Sequence, residues 1–361
     1  MISSVPHIAV MDSYALADLS APQGKRLTSL SQNESLRPPS PLAVEAAEKA
    51  ARDLHLYPDP DWTALREAIG AIHDIDPALI LCGNGSLDLI NCIARAYLAP
   101  GRAALTPSHS YPFFRTATLA SGARFDTAPC GLWADIDGLL DAVRTDTDVV
   151  FIANPGNPTG TRVSRRDLIR LRDGLPGDVL LVIDEAYGEF ADHLSEPVFD
   201  DLAGRGDTVI LRTLSKAYGL AGARVGWGLM PQAIGGELRK LLNPNNASGP
   251  SQAAATAAMR DQAYMRETCR LTAEIRDGFA KRVAALGLEL PQSFTNFSLI
   301  RFASARAAAA ADSALRAEGV FLRPQGTAGL PDCLRATAGV ADDMDFTATL
   351  LEDWVKGKGW A

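Results

Sequence analysis

The sequence predicts an α/β fold, a mostly parallel sheet buried between helices, followed by a smaller α+β domain. Apolar, β-rich runs recur at residues 79–82, 103–106, 149–152, 179–183, 208–211 and 225–229, with helical periodicity between several of them. The runs are apolar almost throughout rather than alternating, as strands covered on both faces require. Past about residue 249 the texture changes, and 361 residues suffice for one large core and a smaller one.

Residues 1–40 hold Pro38-Pro39-Ser40-Pro41 and little periodicity, which predicts an arm that lies along a partner or closes a site. Residues 41–248 contain all six runs and form the predicted large domain. Residues 249–361 form the predicted small one. There, 251–286 reads as one or two long helices rich in alanine and arginine, followed by short strands at 298–302, 320–323 and 334–338 and a helix near 346–355.

Thirty-five basic against 43 acidic residues give a net charge of −8, which argues against a nucleic-acid or anionic-membrane surface. A small anion must then be captured by local arginines. Residues 1–19 carry aspartates and no basic start, and no long uncharged apolar segment occurs, so a cytoplasmic protein is expected. Cys82, Cys92, Cys130, Cys269 and Cys333 are odd in number and form no Cys-x-x-Cys pair, which predicts reduced thiols. No histidine pair has zinc-site spacing, and no metal is expected.

Three polar motifs follow predicted strands: Gly83-Asn84-Gly85-Ser86, Asn154-Pro155-Gly156-Asn157-Pro158-Thr159-Gly160 and Asp184-Glu185-Ala186-Tyr187. In open α/β sheets the ligand crevice lies at the carboxyl ends of the strands, so these motifs can meet there. A lone Gly-Asn-Gly is more readily a plain tight turn, and a lone Asp-Glu more often a helix cap. The stretch after residue 211 is more specific. It sets Lys216 between Thr213, Ser215 and Arg224. Lysine forms Schiff bases with aldehydes, and two hydroxyls with a guanidinium hold a phosphate; pyridoxal 5′-phosphate (PLP) uses every part of this pattern.

From about Tyr14 to the C-terminal helix, the order and content of these motifs resemble fold type I PLP enzymes of the aspartate aminotransferase superfamily. Within it they resemble the histidinol-phosphate aminotransferase subgroup. The resemblance implies the PLP-dependent transferase fold, a mostly parallel seven-stranded sheet flanked by helices, and a homodimer. It implies a phosphate cup of Gly85, Ser86, Thr213, Ser215 and Arg224, with Tyr57 reaching in from a second subunit. Asp184, 32 residues before Lys216 (216 − 184), would face the pyridine nitrogen and keep it protonated. Asn157 and Tyr187 would hydrogen-bond the ring oxygen O3′. Lys216 would hold the cofactor and, once displaced by substrate, move the proton. Tyr111 is the candidate to stack on the ring, with Phe113, Phe114 and His109 as alternatives in a loop that looks one residue short.

Arg335 matches the family arginine that pairs with a substrate anion, and its planar fork suits a carboxylate. Arg323 resembles a second anion contact, although a surface ion pair would explain it equally. Asn296 resembles a position near the site, and Tyr14 the tyrosine that meets substrate. Asn157-Pro158 is a candidate cis peptide. The chain departs from the family at Ser35-Leu36-Arg37-Pro38, where proline replaces a glycine and a charge is added, and after Leu242, where an aromatic is missing. These departures point to an altered substrate contact.

The expected reaction is ping-pong transfer of an amino group from an L-amino acid or amino alcohol phosphate to a 2-oxo acid such as 2-oxoglutarate. A PLP decarboxylase resembling threonine-phosphate decarboxylase is the rival, because the same cage supports loss of either a proton or carbon dioxide. A PLP-binding regulator is remote. Such proteins carry an appended DNA-binding module, and only about 40 residues precede the enzyme-like region.

Overall fold

A computed structural model of the chain describes residues 2–13, 20–194, 199–202 and 204–357. Its strands are β1 (Thr28–Ser29), β2 (Ile80–Gly83), β3 (Ala103–Pro107), β4 (Arg124–Ala128), β5 (Thr147–Ala153), β6 (Leu180–Asp184), β7 (Thr208–Thr213), β8 (Gly226–Leu229), β9 (Phe297–Arg301), β10 (Val320–Phe321), β11 (Arg323–Gln325) and β12 (Leu330–Thr337).

Seven of them form the main sheet in the order β2-β8-β7-β6-β5-β3-β4. Strand β8 runs antiparallel to both of its neighbours. The others run in one direction, so β2, β3, β5, β6 and β7 all end on the same edge of the sheet. The six apolar runs fall on six of these strands. The seventh, β4, escaped the apolar pattern because it is a charged edge: Arg124 pairs with Asp126 at 2.7 Å and also with Asp146, and only Ala128 of the strand is buried. Charge on an edge strand blocks further pairing, which is a reason for its polarity.

Helices cover both faces of the sheet. Phe114, on the helix Pro112–Ala120, is fully buried and stacks on Phe151 of β5 with ring centroids 4.8 Å apart. It is therefore a core residue and not the ring-stacking group of a cofactor site. Phe114→Ala is expected to lower the unfolding free energy by about 3–5 kcal/mol, measured by denaturant titration, from lost burial plus the cavity left behind.

The second core is built on the antiparallel sheet β11-β12-β9 and includes Phe279, Val283, Ile300, Leu315 and Leu351. The two cores share elements across the division expected at 248/249. Helix Gly249–Arg260 places Ala254, Ala255, Ala258 and Met259 in the large core. The chain turns at Asp261, which caps the next helix, Gln262–Ala284, and that helix passes from the large core to the small one. The arm is also less separate than expected. Strand β1 pairs in parallel with β10, and Leu30 lies inside the small core.

The five cysteines are free thiols. Among the described residues, no helix is long and apolar enough to cross a membrane, and no three His, Cys, Asp or Glu side chains gather where a metal ion could be held.

Candidate active site

A cavity of about 790 Å³ opens at the carboxyl edge of the parallel strands, with walls from both cores and from the arm. Ser86, Tyr111, Asn157, Asp184, Tyr187, Thr213, Ser215, Lys216, Arg224, Arg323 and Arg335 all line it. The sequence motifs therefore do converge, because each sits at the end of a strand that points the same way.

At one end, β2 stops at Gly83 and the helix Ser86–Tyr97 begins. Gly85 has φ +83°, a conformation that favours glycine, and a Cβ there would stand 2.6 Å from Nη2 of Arg224, so glycine leaves the guanidinium its present place against the helix start. Thr213 donates from Oγ1 to Ser215 Oγ at 2.9 Å, and Arg224 Nη1 lies 3.4 Å from the same oxygen. Arg224 itself adopts φ +54°, uncommon for a residue with a side chain. Hydroxyls, helix-terminal amides and a guanidinium meeting around a glycine cradle fit a phosphate group.

Lys216 donates from Nζ to the backbone oxygens of Asn33 at 2.9 Å and Gln32 at 3.3 Å. Burial pushes its pKa down to about 8, with Arg335 and Arg224 acting in the same direction and Glu34 and Asp184 opposing. The neutral amine is the nucleophile, so covalent loading of the cofactor-free protein should accelerate as pH rises through about 8. The rate of imine absorbance growth reads this; a rise centred near 10.5, the ordinary lysine value, would contradict it.

Asp184 ends β6 and is buried, with Oδ1 accepting the Ala186 N–H at 3.1 Å. Burial raises its pKa to about 7, and Glu185 adds to the rise. A cationic N–H beside it would reverse that shift by direct attraction. Glu185 is engaged from behind: Arg212 holds it with bonds of 3.0 and 2.8 Å and holds Asp192 with two of 2.8 Å. This buried ion cluster joins the ends of β6 and β7. Sequence reasoning treated Arg212 and Glu185 only as flanks of the motifs.

On the opposite side, Arg335 donates from Nη1 to Asn157 Oδ1 at 2.7 Å and from Nη2 to Ser31 O at 2.8 Å. Arg335 and Arg323 are register partners on β12 and β11, which sets two cationic side chains abreast at the cavity. Asn157-Pro158 is cis, and so is Asn154-Pro155, which was not expected. Of the ring-stacking candidates only Tyr111 lines the cavity; His109 is drawn away by a 3.0 Å bond between Nδ1 and Ala328 O.

Three expectations fare differently. Tyr57 is 87% exposed and stands outside this cavity, near exposed Leu54 and Leu56. Tyr14 lies outside the described residues. Arg37 is absent from the cavity lining, its guanidinium 3.9 Å from the Tyr264 ring centroid and its Nη1 3.3 Å from Thr268 Oγ1. Sequence reasoning missed Arg115 and Thr116, which line the cavity from a helix that reads as ordinary and amphipathic, and it missed Asn33.

The model of the aminotransferase class I and II family matches residues 25–348. The chain belongs to this family. The family member histidinol-phosphate aminotransferase of Rhodospirillum centenum is 40% identical over 99% of this chain and 100% of its own length. The enzyme of that name from Paramagnetospirillum magneticum is 38% identical over 98% and 99%. The crystal structure of histidinol-phosphate aminotransferase from Sinorhizobium meliloti in complex with pyridoxal-5′-phosphate superposes with a TM-score of 0.93 at 31% identity, covering 98% of both chains. The seven-stranded, mostly parallel sheet is thus the fold of a class I and II aminotransferase, and the cavity lies where its motifs meet.

Proposed function

We propose that this aminotransferase uses PLP bound through Lys216 to move an amino group between a phosphorylated amine of the histidinol-phosphate class and 2-oxoglutarate. The observation that carries the reading is one cavity holding a half-buried lysine with a lowered pKa, a phosphate-type donor set and two abreast arginines. When bound, PLP supplies a carbonyl that takes up amine nitrogen and a ring that withdraws electrons from the carbon losing its proton.

The chain's own residues do the rest. Ser86, Thr213, Ser215 and Arg224, around the space kept open by Gly85, hold the cofactor phosphate. Asp184 holds a proton at the ring nitrogen. Asn157 and Tyr187 bond the ring oxygen, and Tyr111 covers one ring face. Lys216, freed when substrate takes its place, carries the proton at the reacting carbon. Arg335 anchors a carboxylate, and Arg323 adds the second cation that a dicarboxylate or a phosphate needs.

Transamination is favoured over decarboxylation by the names of the full-length relatives. The test is a half-reaction: the cofactor-loaded enzyme, without acceptor, is mixed with L-histidinol phosphate. Bleaching of the visible band, and its return on adding 2-oxoglutarate, is the expected result. Carbon dioxide release from amino acid phosphates, or no bleaching by any amine phosphate, would overturn the reading.

The active unit proposed is a homodimer in which Tyr57 completes the partner's phosphate cup. Tyr57 is 87% exposed, and its sequence neighbours Leu54 and Leu56 are exposed too, which supports a covered face there. Mixing inactive Lys216→Ala subunits with Tyr57→Phe subunits should give heterodimers with one site free of both changes. A fully active monomer in sedimentation would refute the shared site.

A further inference from the structure

We infer that Asn33 is a positioning residue: its side-chain amide fixes the direction in which Tyr187 shares its hydroxyl hydrogen, and thereby the basicity of the nitrogen through which Lys216 holds the cofactor. The inference rests on the cofactor reading above and adds to it a residue of the arm.

Asn33 is buried, at 2% exposure, with φ +54°. Asparagine is one of the few residues with a side chain that tolerates this left-handed region. Its four hydrogen-bonding groups reach both domains. The backbone N–H donates to Thr337 Oγ1 at 2.9 Å, and the backbone oxygen accepts from Lys216 Nζ at 2.9 Å and from Asn296 Nδ2 at 3.0 Å. The side chain meets Thr337 Oγ1 through Oδ1 at 3.2 Å and the Tyr187 hydroxyl through Nδ2 at 2.7 Å.

The orientation of the amide follows from this network. Thr337 Oγ1 receives the Asn33 N–H and donates its own hydrogen to Asn33 Oδ1 at 3.2 Å, which leaves Nδ2 facing the Tyr187 hydroxyl at 2.7 Å. The other end of the amide is then Nδ2, which can only donate. Tyr187 accepts from it, so the tyrosine hydrogen is directed to an acceptor other than Asn33. On the reading above, that acceptor is the ring oxygen of the cofactor. A donor to that oxygen competes with the protonated nitrogen for its lone pairs and lowers the pKa of that nitrogen.

Two substitutions keep the backbone conformation and change the hydrogen. Asn33→Asp turns the donor into an acceptor that takes the tyrosine hydrogen, and it also adds a negative charge. Asn33→Gly removes the amide, adds no charge and suits positive φ. The charged groups that act on Lys216, namely Arg335, Glu34, Arg224 and Asp184, are the same in every variant.

The readout is the pH midpoint of the visible absorbance of the cofactor-loaded enzyme, measured for native, Asn33→Asp and Asn33→Gly proteins with Tyr187 and again with Tyr187→Phe. Asn33→Asp should raise the midpoint by about one pH unit more with Tyr187 present than with phenylalanine, where only its charge acts. Asn33→Gly should raise the midpoint with Tyr187 and leave it unmoved with phenylalanine. A merely structural Asn33 would lower the melting temperature in both backgrounds and leave the midpoints alone, which would overturn the inference. Equal shifts in both backgrounds would overturn it too. Should Asn33→Asp fail to fold, the glycine pair decides by itself. If borohydride fixes no label on Lys216, the cofactor reading falls and this inference with it; a label on Lys216 with unshifted midpoints overturns this inference alone.

Discussion

Lys216→Ala should lose transamination by roughly 10⁴-fold or more while still binding PLP. Two effects combine. The covalent link is gone, and so is the base at the reacting carbon, a role that by itself contributes about 10²- to 10⁴-fold. Retention follows from the phosphate end of the cavity, where Thr213, Ser215, Arg224 and the start of the helix Ser86–Tyr97 do not depend on the lysine. Equilibrium dialysis of cofactor against single-turnover rates separates the two. A variant that turned over within about tenfold of native would place the base elsewhere.

Arg335→Ala should cost about 2–5 kcal/mol in kcat/KM for 2-oxoglutarate, or about 30-fold to several thousand-fold, while cofactor affinity changes little. The magnitude reflects a guanidinium that is buried, at 8% exposure, and already oriented by Asn157 and Ser31. Its removal also frees Asn157 Oδ1, so a small shift of the visible spectrum should accompany the kinetic loss. Arg335→Lys keeps the charge and loses the fork, and should recover only part of the activity. Near-native kcat/KM for both substrates in Arg335→Ala would make this arginine a structural residue.

How much of this was legible in the sequence depended on whether a feature leaves a local signal. Six sheet strands announced themselves because burial on both faces demands apolar runs, and the motifs after them were readable because ligand groups gather at strand ends. Strand β4 was silent because an edge strand carries charge. The sequence was silent on which core the helix after residue 249 packs on because an alanine-rich helix carries no marker for it, and Ala254, Ala255 and Ala258 face the large one. Asn33 was hidden for a different reason. Its partners Tyr187, Lys216, Asn296 and Thr337 lie 154 to 304 positions away in the chain, so its importance exists only in the folded state. Arg37 is the reverse case: a conspicuous departure in sequence whose side chain the fold sets against Tyr264 and Thr268.

The most direct test of the central claim is borohydride reduction of the cofactor-loaded protein followed by peptide mapping. A pyridoxyl group on Lys216, in the peptide that contains Thr213 and Ser215, is the predicted result. A label on another lysine, or none after loading with PLP, would contradict the account.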